Sequence, residues 1–422
     1  MVNRDASVGV SSQRICLAVQ AIWLLSFTIG LFALGMIAEP ANGQVYRWDD
    51  GNMIPGTEGV TLTPGAILDE MALSYAAMNN VDLSGASFYL SQMNNANLSD
   101  SNLSGGNLLY ANLADANLTR ANLAGASLSG SNLYFNYQWH LIPMTLSNAK
   151  LNNANLSGAV LRYATVDNAD FTDATVTGAS FEGETAMGFT QEQLRSTGSY
   201  QNKNLRGVNL SSNDLTEWNL ARQDLTNAGF GAAILSHADL SQANLTGADF
   251  GYISFMPQEL IQLMGLPRPS THATLADANM NDAVIYGARL ENTTSSGFTK
   301  EQLYSTSSYN NKKLGAICLG SNNLTGWDFS GQRLAGARFA ASDLTDANFI
   351  GADLRNADLS TGSISLFTLT SWTTTLTNAN LSRADLRGAE INLAASFTRQ
   401  NTILSDGNVQ LEPRWRRISG RP

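Results

Sequence analysis

The stretch SNLSGGNLLYANLADANLTRANLAGASLSGSNL, residues 101–133, carries a leucine at every fifth position. Most of the residues between the leucines are Asn, Ala, Ser or Gly. An α-helix turns about 100° per residue, so leucines spaced five apart spread around its whole circumference. In a flat strand the side chains alternate with period two, so an odd spacing places successive leucines on opposite faces. Neither regular element buries this pattern on one side.

The pattern fits a chain that bends at every repeat, so that each short extended face points its leucine toward a common axis. Four bends close a square coil of about 20 residues, and the residue two before the leucine points the same way. That residue is small, as in Ala111, Ala116 and Ala121. The Asn or Asp just before the leucine points outward, and Gly or Asp suits the corner.

These repeats resemble a known family. The segments ANLSD, ANLAD, ANLTR, ANLAG, ADLSQ, ANLTG and ADLRN are similar to the pentapeptide-repeat motif of a small residue, Asp or Asn, Leu or Phe, a polar residue and a variable one. The resemblance covers most of residues 66–391 and implies a right-handed quadrilateral β-helix with four repeats per coil. We therefore expect an all-β solenoid with short helical insertions, preceded by an N-terminal apolar helix.

The phase of the repeat breaks in several places, which suggests an organisation along the chain. We predict an N-terminal cap at 44–65, because the first coil of a solenoid exposes unpaired backbone and its apolar interior. A solenoid follows at 66–181, with two further repeat modules at 182–290 and 291–391. The tail at 392–422 has no period, and we expect it to be disordered from residue 410.

A longer duplication lies over the short repeat. GFTQEQLRSTGSYQNKNLRGVNLSSNDLTEWNL begins at Gly188, and GFTKEQLYSTSSYNNKKLGAICLGSNNLTGWDF begins at Gly297, about 109 residues later. Thr190 with Gln193, and Thr299 with Gln302, have the spacing of a capping box, so each copy is predicted to start a short helix. Phe189 and Leu194 in one copy, and their counterparts in the other, are expected to pack it.

The N-terminus carries an export signal. Residues 15–38 form an uncharged apolar run preceded by Arg4 and Arg14. A cleavable signal peptide ending near residue 43, with small residues at 41–43, is one interpretation. An uncleaved membrane anchor is the other, because the run has 24 residues and about 20 span a bilayer. A buried core helix is a third, although no comparable apolar segment exists to pack against it. The first two place everything after Glu39 across the membrane.

Composition gives little sign of chemistry. Charged residues are 14% of the chain and its formal net charge is −10, so no nucleic-acid surface is expected. Two cysteines and three separated histidines predict neither a disulfide framework nor a metal site. The sequence contains none of the common nucleotide-binding or hydrolase motifs. We expect no catalytic residue, cofactor or metal, and hence no enzyme.

Two departures from the repeat are the candidate interaction surfaces. Tyr134, Phe135, Tyr137 and Trp139 cluster in the first break, where they either cover a coil or grip a sugar or peptide. Trp218 and Trp327 occupy slots that the repeat keeps small. A tryptophan there either packs under the adjoining helix or marks a binding site. In both modules the neighbouring small slots also change, to Lys203, Val208, Asn213 and Gln223 in one copy and Lys312, Ile317, Asn322 and Gln332 in the other.

These features favour an exported, non-enzymatic solenoid that acts as a structural or protein-interaction scaffold at the cell envelope. One alternative is the DNA mimicry of some pentapeptide-repeat proteins, which occupy a topoisomerase. The abundance of outward Asn over Asp in residues 66–133 and the export signal oppose it. Another alternative is a carbohydrate-binding or carbohydrate-active β-helix, which needs clustered carboxylates or basic residues in a groove. The sequence names neither the protein or envelope partner nor the oligomeric state.

Overall fold

The computed structural model describes residues 44–129, 131–135, 138–142, 144–251, 272–360, 374, 376–377, 379–387, 389–391 and 402–410, with the backbone alone at 131–135, 138–142, 390–391 and 409–410. These residues form two compact units. The first runs to Asn155 and includes Val166–Asp170. The second comprises Leu156–Thr165 and the residues from Phe171 onward.

Both units are built from stacked coils. In the first unit Ile67 lies beside Ser87, Ser87 beside Asn107 and Asn107 beside Ser127, each 20 residues later and in parallel register. The same step recurs on the other faces, for example from Asp82 to Asn102 to Asn122. One coil is therefore four five-residue repeats, and the predicted β-helix solenoid is confirmed. The handedness of its winding stays a prediction.

The leucines form the core of each coil. Leu113, Leu118 and Leu123 are completely buried, and so are the small residues two positions before them. In the second unit phenylalanines share this role, and Phe230 stacks on Phe250 with ring centroids 5.0 Å apart. The predicted alternation of large and small residues inside the coil is confirmed. Such close packing of large and small side chains is what gives protein interiors their density.

The corners use left-handed backbone at every fifth residue. Gly85, Gly105 and Gly125 have φ of 67°, 64° and 66°, and Asp100 and Asp115 have φ of 60° and 58°. Glycine adopts this region without strain, and Asn or Asp tolerates it better than other residues. The sequence expectation of Gly or Asp at the corner is confirmed at these positions.

Few regular elements interrupt the coils of the first unit. Strand β1 (Ser131–Phe135) pairs antiparallel with β2 (Gln138–Ile142) to form a hairpin. Strand β3 spans Met144–Thr145. Across the hairpin the coil-to-coil step lengthens to 33 residues, because Asn112 lies beside Thr145. The first break in the repeat therefore leaves the stack as a hairpin and returns to the same column.

The helices of the described residues lie in the second unit. Each of the two copies has a 3-10 helix, a six-residue α-helix and a four-residue α-helix. In the first copy these are Glu184–Met187, α1 (Gln191–Ser196) and α2 (Gly198–Gln201). In the second copy they are Thr294–Ser296, α3 (Lys300–Ser305) and α4 (Ser307–Asn310). Here the step is 29 residues, from Ser180 to Asn209 and from Arg289 to Cys318, so each excursion adds nine residues to a coil of 20.

The remaining strands of the second unit are short. Strand β4 spans Ala164–Thr165. Strand β5 (Asp358–Leu359) pairs parallel with β6 (Glu390–Ile391), and β7 (Thr402–Ile403) pairs antiparallel with β8 (Val409–Gln410).

Several predictions fall outside this description. The apolar run at 15–38 lies outside the described residues, as do Tyr137 and the tail from 411. In the ranges given above, no helix has the length and apolar character needed to cross a membrane. The predicted module boundaries stay predictions.

Candidate functional site

The outward Asn side chains of the first unit form ladders between coils. Asn155 Nδ2 donates to Asn122 Oδ1 at 3.0 Å, and Asn122 Nδ2 donates to Asn102 Oδ1 at 2.9 Å. Asn102 Nδ2 in turn donates to Asp82 Oδ1 at 2.9 Å. Each ladder oxygen also accepts a backbone N–H two residues on, as Asn122 does from Ala124. Asn102 and Asn122 therefore each use the side-chain oxygen and one of the two Nδ2 hydrogens to hold the coils together.

Many outward carboxylates are paired with arginines. Arg120 Nε donates to Asp100 Oδ1 at 2.6 Å in the first unit. In the second unit Arg355 and Arg387 each bind the Asp two residues earlier, with Nη2–Oδ2 distances of 2.7 Å. The hydrogen bonds from Arg355 hold the pKa of the Asp353 carboxyl below its usual value, and Arg387 does the same for Asp385. This pairing reduces the net negative charge that the faces present.

Trp218 and Trp327 are buried beside the helical excursions, with 7% and 6% of their surface exposed. The Trp327 ring packs on Phe298 at 5.8 Å and on Phe329 at 6.2 Å between centroids. Trp218 lies 5.9 Å from Phe189 in the same arrangement. Any surface that these indoles contribute is limited to their edges, so their role in an interaction stays a prediction.

The other enlarged slots clamp each excursion onto the coils. Asn322 Nδ2 donates to Leu290 O at 2.7 Å and Leu319 O at 3.0 Å, and its Oδ1 accepts from Thr294 N at 2.9 Å. Asn213 makes the equivalent bonds in the first copy. Gln332 Nε2 donates to Tyr309 O at 3.0 Å. The sequence marks these residues by their 109-residue repetition, but not by their partners.

Both helices start as predicted. The side chains of Thr190 and Thr299 accept from the backbone N–H of Gln193 and Gln302. In return, each Gln side-chain oxygen accepts from the backbone N–H of its Thr. The two capping boxes are confirmed. Leu194 and Leu303 are fully buried beneath the helices. The capping boxes thus fix where α1 and α3 begin within each excursion.

A shallow groove of about 580 Å³ lies along the second excursion. Its lining mixes amides, hydroxyls, one cation and the edge of an indole, from Asn292, Thr294, Lys300, Asn323, Thr325 and Trp327. In the first copy the residues at the positions of Lys300 and Asn323 are Gln191 and Asp214. The duplicated positions therefore differ in charge. The pair is neutral and acidic in the first copy, and basic and neutral in the second.

The aromatic cluster of the first break belongs to the hairpin. Tyr134 and Trp139 are register partners across β1 and β2, and Phe135 pairs with Gln138. Their side chains and Tyr137 lie outside the part of the chain that is described. The hairpin brings Tyr134 and Trp139 to adjacent backbone positions, and their use as an interaction surface stays a prediction.

One buried acid was missed by the sequence analysis. Glu184 is fully buried at the start of the first 3-10 helix, and its Oε1 accepts from Ala164 N at 3.3 Å. Burial raises the pKa of this carboxyl to about 9. Its neighbour Glu182 forms an ion pair with Arg162 at 3.3 Å. No group of three or more His, Cys, Asp or Glu side chains suited to a metal ion occurs in the described ranges.

Comparison with known families agrees with this architecture. A model of pentapeptide repeats matches residues 66–105, 96–133, 145–183, 224–256, 323–360 and 373–394, with eight copies. The chain belongs to the pentapeptide-repeat family. None of the curated proteins matches this pentapeptide-repeat chain in sequence.

Among solved structures, HetL, Rfr23 and QnrB1 are similar to this pentapeptide-repeat chain. HetL, a pentapeptide-repeat protein involved in heterocyst differentiation regulation in the cyanobacterium Nostoc sp. strain PCC 7120, is 21% identical over 82% of this chain and 92% of its own, with a TM-score of 0.18. Rfr23 from the cyanobacterium Cyanothece 51142 is 27% identical over 27% of this chain and 58% of its own, with a TM-score of 0.16. QnrB1, a plasmid-mediated fluoroquinolone resistance protein, is 14% identical over 70% and 90%, with a TM-score of 0.18. TM-scores this low leave the repeat match as the basis of the family assignment.

Proposed function

We propose that this pentapeptide-repeat protein is a non-enzymatic, exported scaffold that acts through structural and protein-interaction surfaces at the cell envelope. The proposal rests on a difference between the regular faces of the coils and the places where the period of five is broken. On the regular faces, polar side chains form hydrogen bonds between neighbouring coils, as in the ladder through Asn102, Asn122 and Asn155. Chemically distinct surface occurs where the period of five is broken, as at the groove beside Trp327.

Export rests on the sequence of the N-terminus. Arg4 and Arg14 precede an apolar run of signal-peptide or anchor type, so we assign the repeats to the far side of the cytoplasmic membrane. Cell fractionation with N-terminal sequencing of the mature chain tests this directly. A mature chain that starts near Gln44 supports a cleaved signal, and an intact chain in the membrane fraction supports an anchor. Recovery of the intact chain from the cytoplasm overturns the proposal.

Interaction through the groove is tested by site-specific photo-crosslinking. A photoreactive residue at Thr325, inside the groove, is compared with one at Asn117, within a ladder. A scaffold gives discrete crosslinked products from the groove position and none from the ladder position. These products should weaken in a variant with Lys300→Gln and Asn323→Asp, which gives the groove the residues of the first copy. Equal products from both positions contradict an interaction site at the groove.

The paired carboxylates favour this proposal over DNA mimicry. A protein that imitates DNA presents uncompensated negative charge at phosphate-like spacing. Here Asp100, Asp353 and Asp385 each carry an arginine partner. We therefore expect the purified protein to leave DNA supercoiling by a topoisomerase unchanged. Inhibition of supercoiling by a chain found in the cytoplasm would reverse the assignment.

Carbohydrate binding is a second candidate function, and the lining of the groove favours it. Hydroxyls and amides beside an aromatic side chain are groups with which a protein site orients a polar ligand such as a saccharide. Lys300, whose Nζ lies 4.0 Å from Glu301 Oε1, adds a positive charge suited to an acidic sugar. Binding of a panel of neutral and acidic polysaccharides to the wild type and to the variant with Lys300→Gln and Asn323→Asp tests it. A preference for acidic polysaccharides that the variant loses supports this candidate. Equal binding by both proteins shows that the groove is not the polysaccharide-binding site.

A further inference from the structure

An exposed aromatic residue stands beside a group of cations on one face of the second unit. Tyr286 is 50% exposed and Val284 in the same repeat is 38% exposed. Lys312, Lys313 and Arg333 are exposed on the two coils that follow. Together Tyr286, Lys312, Lys313 and Arg333 are called the Tyr286 patch. It is remote in sequence from the hairpin and is not part of the lining of the groove.

The backbone brings the members of the Tyr286 patch together. Lys313 and Arg333 are parallel register partners on consecutive coils, so their backbones are about 4.8 Å apart. The Tyr286 ring lies over Gly315, where a Cβ atom would be 2.9 Å from Cε2 of the ring. Lys312 Nζ reaches Gly331 in the same way, at 3.0 Å from the position of a Cβ. Two glycines therefore make room for the aromatic ring and for one of the cations.

Among the described side chains, no carboxylate forms an ion pair with the cations of the patch. None of the ion pairs found among the described side chains involves Lys312, Lys313 or Arg333. The next residue in their column is Asp353, whose carboxylate is bound by Arg355 at 2.7 Å. The patch thus presents three positive charges on a chain of net charge −10. Charges of one sign in a small area attract ligands of the opposite sign.

The first copy shows that the coil does not require these residues. At the positions of Tyr286, Lys313 and Arg333 the first copy has Thr177, Asn204 and Asp224. At the position of Gly315 it has Arg206, whose Nη1 pairs with Asp224 Oδ2 at 3.2 Å. The same backbone therefore carries Lys203 beside an Arg206–Asp224 ion pair in one copy, and a tyrosine with three cations that form no ion pair among the described side chains in the other.

We propose that the Tyr286 patch binds a short acidic segment of a partner protein, an inference that rests on the proposed interaction function. Carboxylates of the segment accept hydrogen bonds from Lys313 and Arg333, and an apolar side chain of the segment packs on Tyr286 and Val284. Tyrosine and arginine are enriched where proteins bind one another. The charge of the partner complements that of the patch.

The extent of the patch selects a short segment over a long polyanion. Its cations occupy two coils, and the column then continues into the carboxylates of Asp353 and Asp385. A nucleic acid or acidic polysaccharide that followed the column would pass from lysine and arginine onto Asp353 and Asp385, whose ion pairs with Arg355 and Arg387 offer no net positive charge. A peptide with two or three acidic residues matches the patch without reaching them.

Selection from a random peptide library displayed on phage tests this inference, with the full-length protein immobilised. The wild type should enrich peptides that combine acidic residues with a large apolar residue. A selected peptide, labelled with fluorescein, is then titrated by fluorescence anisotropy. The variant with Lys313→Asn and Arg333→Asp, which has the residues of the first copy, should bind it at least about tenfold more weakly. Lys203→Asn, which removes the equivalent of Lys312 in the first copy, should leave its affinity unchanged.

Three results would overturn the inference. They are no acidic enrichment in the selected peptides, equal affinity of the wild type and the double variant, and tighter binding of a DNA duplex or polygalacturonate than of the peptide at the same patch. The substitutions at Lys313 and Arg333 leave the residues that line the groove unchanged. Crosslinks from Thr325 that persist in the double variant therefore show that the interaction function stands while the assignment of the acidic segment fails.

Discussion

Asn122 donates a hydrogen bond from its side-chain amide to the side-chain oxygen of Asn102, 2.9 Å away and one coil earlier. The oxygen of Asn122 accepts from Asn155 on the next coil and from the backbone of Ala124. A single amide thus uses both its donor and its acceptor to hold three successive coils. Aspartate in the same position keeps the acceptor and loses the donor, so we expect a ladder of asparagine to stabilise the stack better than a ladder of aspartate.

Removal of this amide should destabilise the first unit. Asn122→Ala leaves its three half-buried partners without their bond, so we expect the free energy of unfolding to fall by about 1–3 kcal/mol. The free energy of unfolding of Asn122→Asp should lie between those of the wild type and the alanine variant, because only the donated hydrogen bond is lost. Urea denaturation followed by circular dichroism measures all three proteins. Thr63→Ala, at an exposed position in the cap, is the control, and an equal loss there would contradict the ladder's role.

The fold was predictable because a period of five permits so few backbones. Each leucine in residues 101–133 limits the choice to a chain that turns at every repeat, and the corners at Gly105, Asp115 and Gly125 do turn with positive φ. The outward direction of the Asn side chains also followed from the period. Their partners did not, since a bond between Asn102 and Asn122 depends on which coils stack.

The departures from the repeat were harder to interpret. Lys203 and Lys312 stand at positions that the repeat assigns to the interior, yet both are exposed, because each follows a helical excursion that rejoins the coil there. Asn213 and Asn322 do point inward, and each donates to a backbone carbonyl of the preceding coil. The sequence marked all four by duplication, but the length of the excursion decided which were buried.

The clamp at Asn322 leads to a second prediction. Asn322→Ala removes one hydrogen bond to the second 3-10 helix and two to carbonyl groups of the coils, so we expect a loss of about 2–3 kcal/mol. Hydrogen exchange should also speed up in residues 294–311, because the excursion is released. Asn323→Ala, at the exposed neighbour whose side-chain oxygen accepts from Thr325, should cost less than about 1 kcal/mol, because the backbone bond from Asn323 to Thr294 is kept. Similar losses from both variants would show that Asn322 does not clamp the excursion.

Glu184 makes stability depend on pH. Its pKa is about 9 in the folded protein because the carboxyl is buried, whereas in the unfolded chain it returns to the usual value near 4.5. Between about pH 4.5 and pH 9, the Glu184 carboxyl is therefore ionised in the unfolded chain and protonated in the folded protein. Stability from this group is therefore complete below about pH 4.5 and falls as pH rises toward 9, by up to about 1.4 kcal/mol per pH unit.

Glu184→Thr tests this dependence with the residue that the second copy carries. Thr293, its counterpart, is fully buried and donates its hydroxyl to Leu290 O at 2.8 Å. Chemical denaturation between pH 5 and 8.5 should show the variant gaining stability relative to the wild type as pH rises. Glu184→Gln should behave in the same direction, since neither replacement ionises. A difference between wild type and variant that stays constant with pH would show that the carboxyl does not titrate in this range.

The corner at Gly85 allows the cost of the turn itself to be measured. Its φ is 67°, and a Cβ added there would meet no heavy atom within 4 Å, so substitution changes backbone strain and little else. Asparagine tolerates this conformation, alanine costs about 1 kcal/mol and a β-branched residue costs more. Gly85→Asn, Gly85→Ala and Gly85→Val should therefore lose stability in that order, as measured by thermal unfolding. Equal melting temperatures for the asparagine and valine variants would mean that the left-handed corner does not limit which residues the repeat accepts.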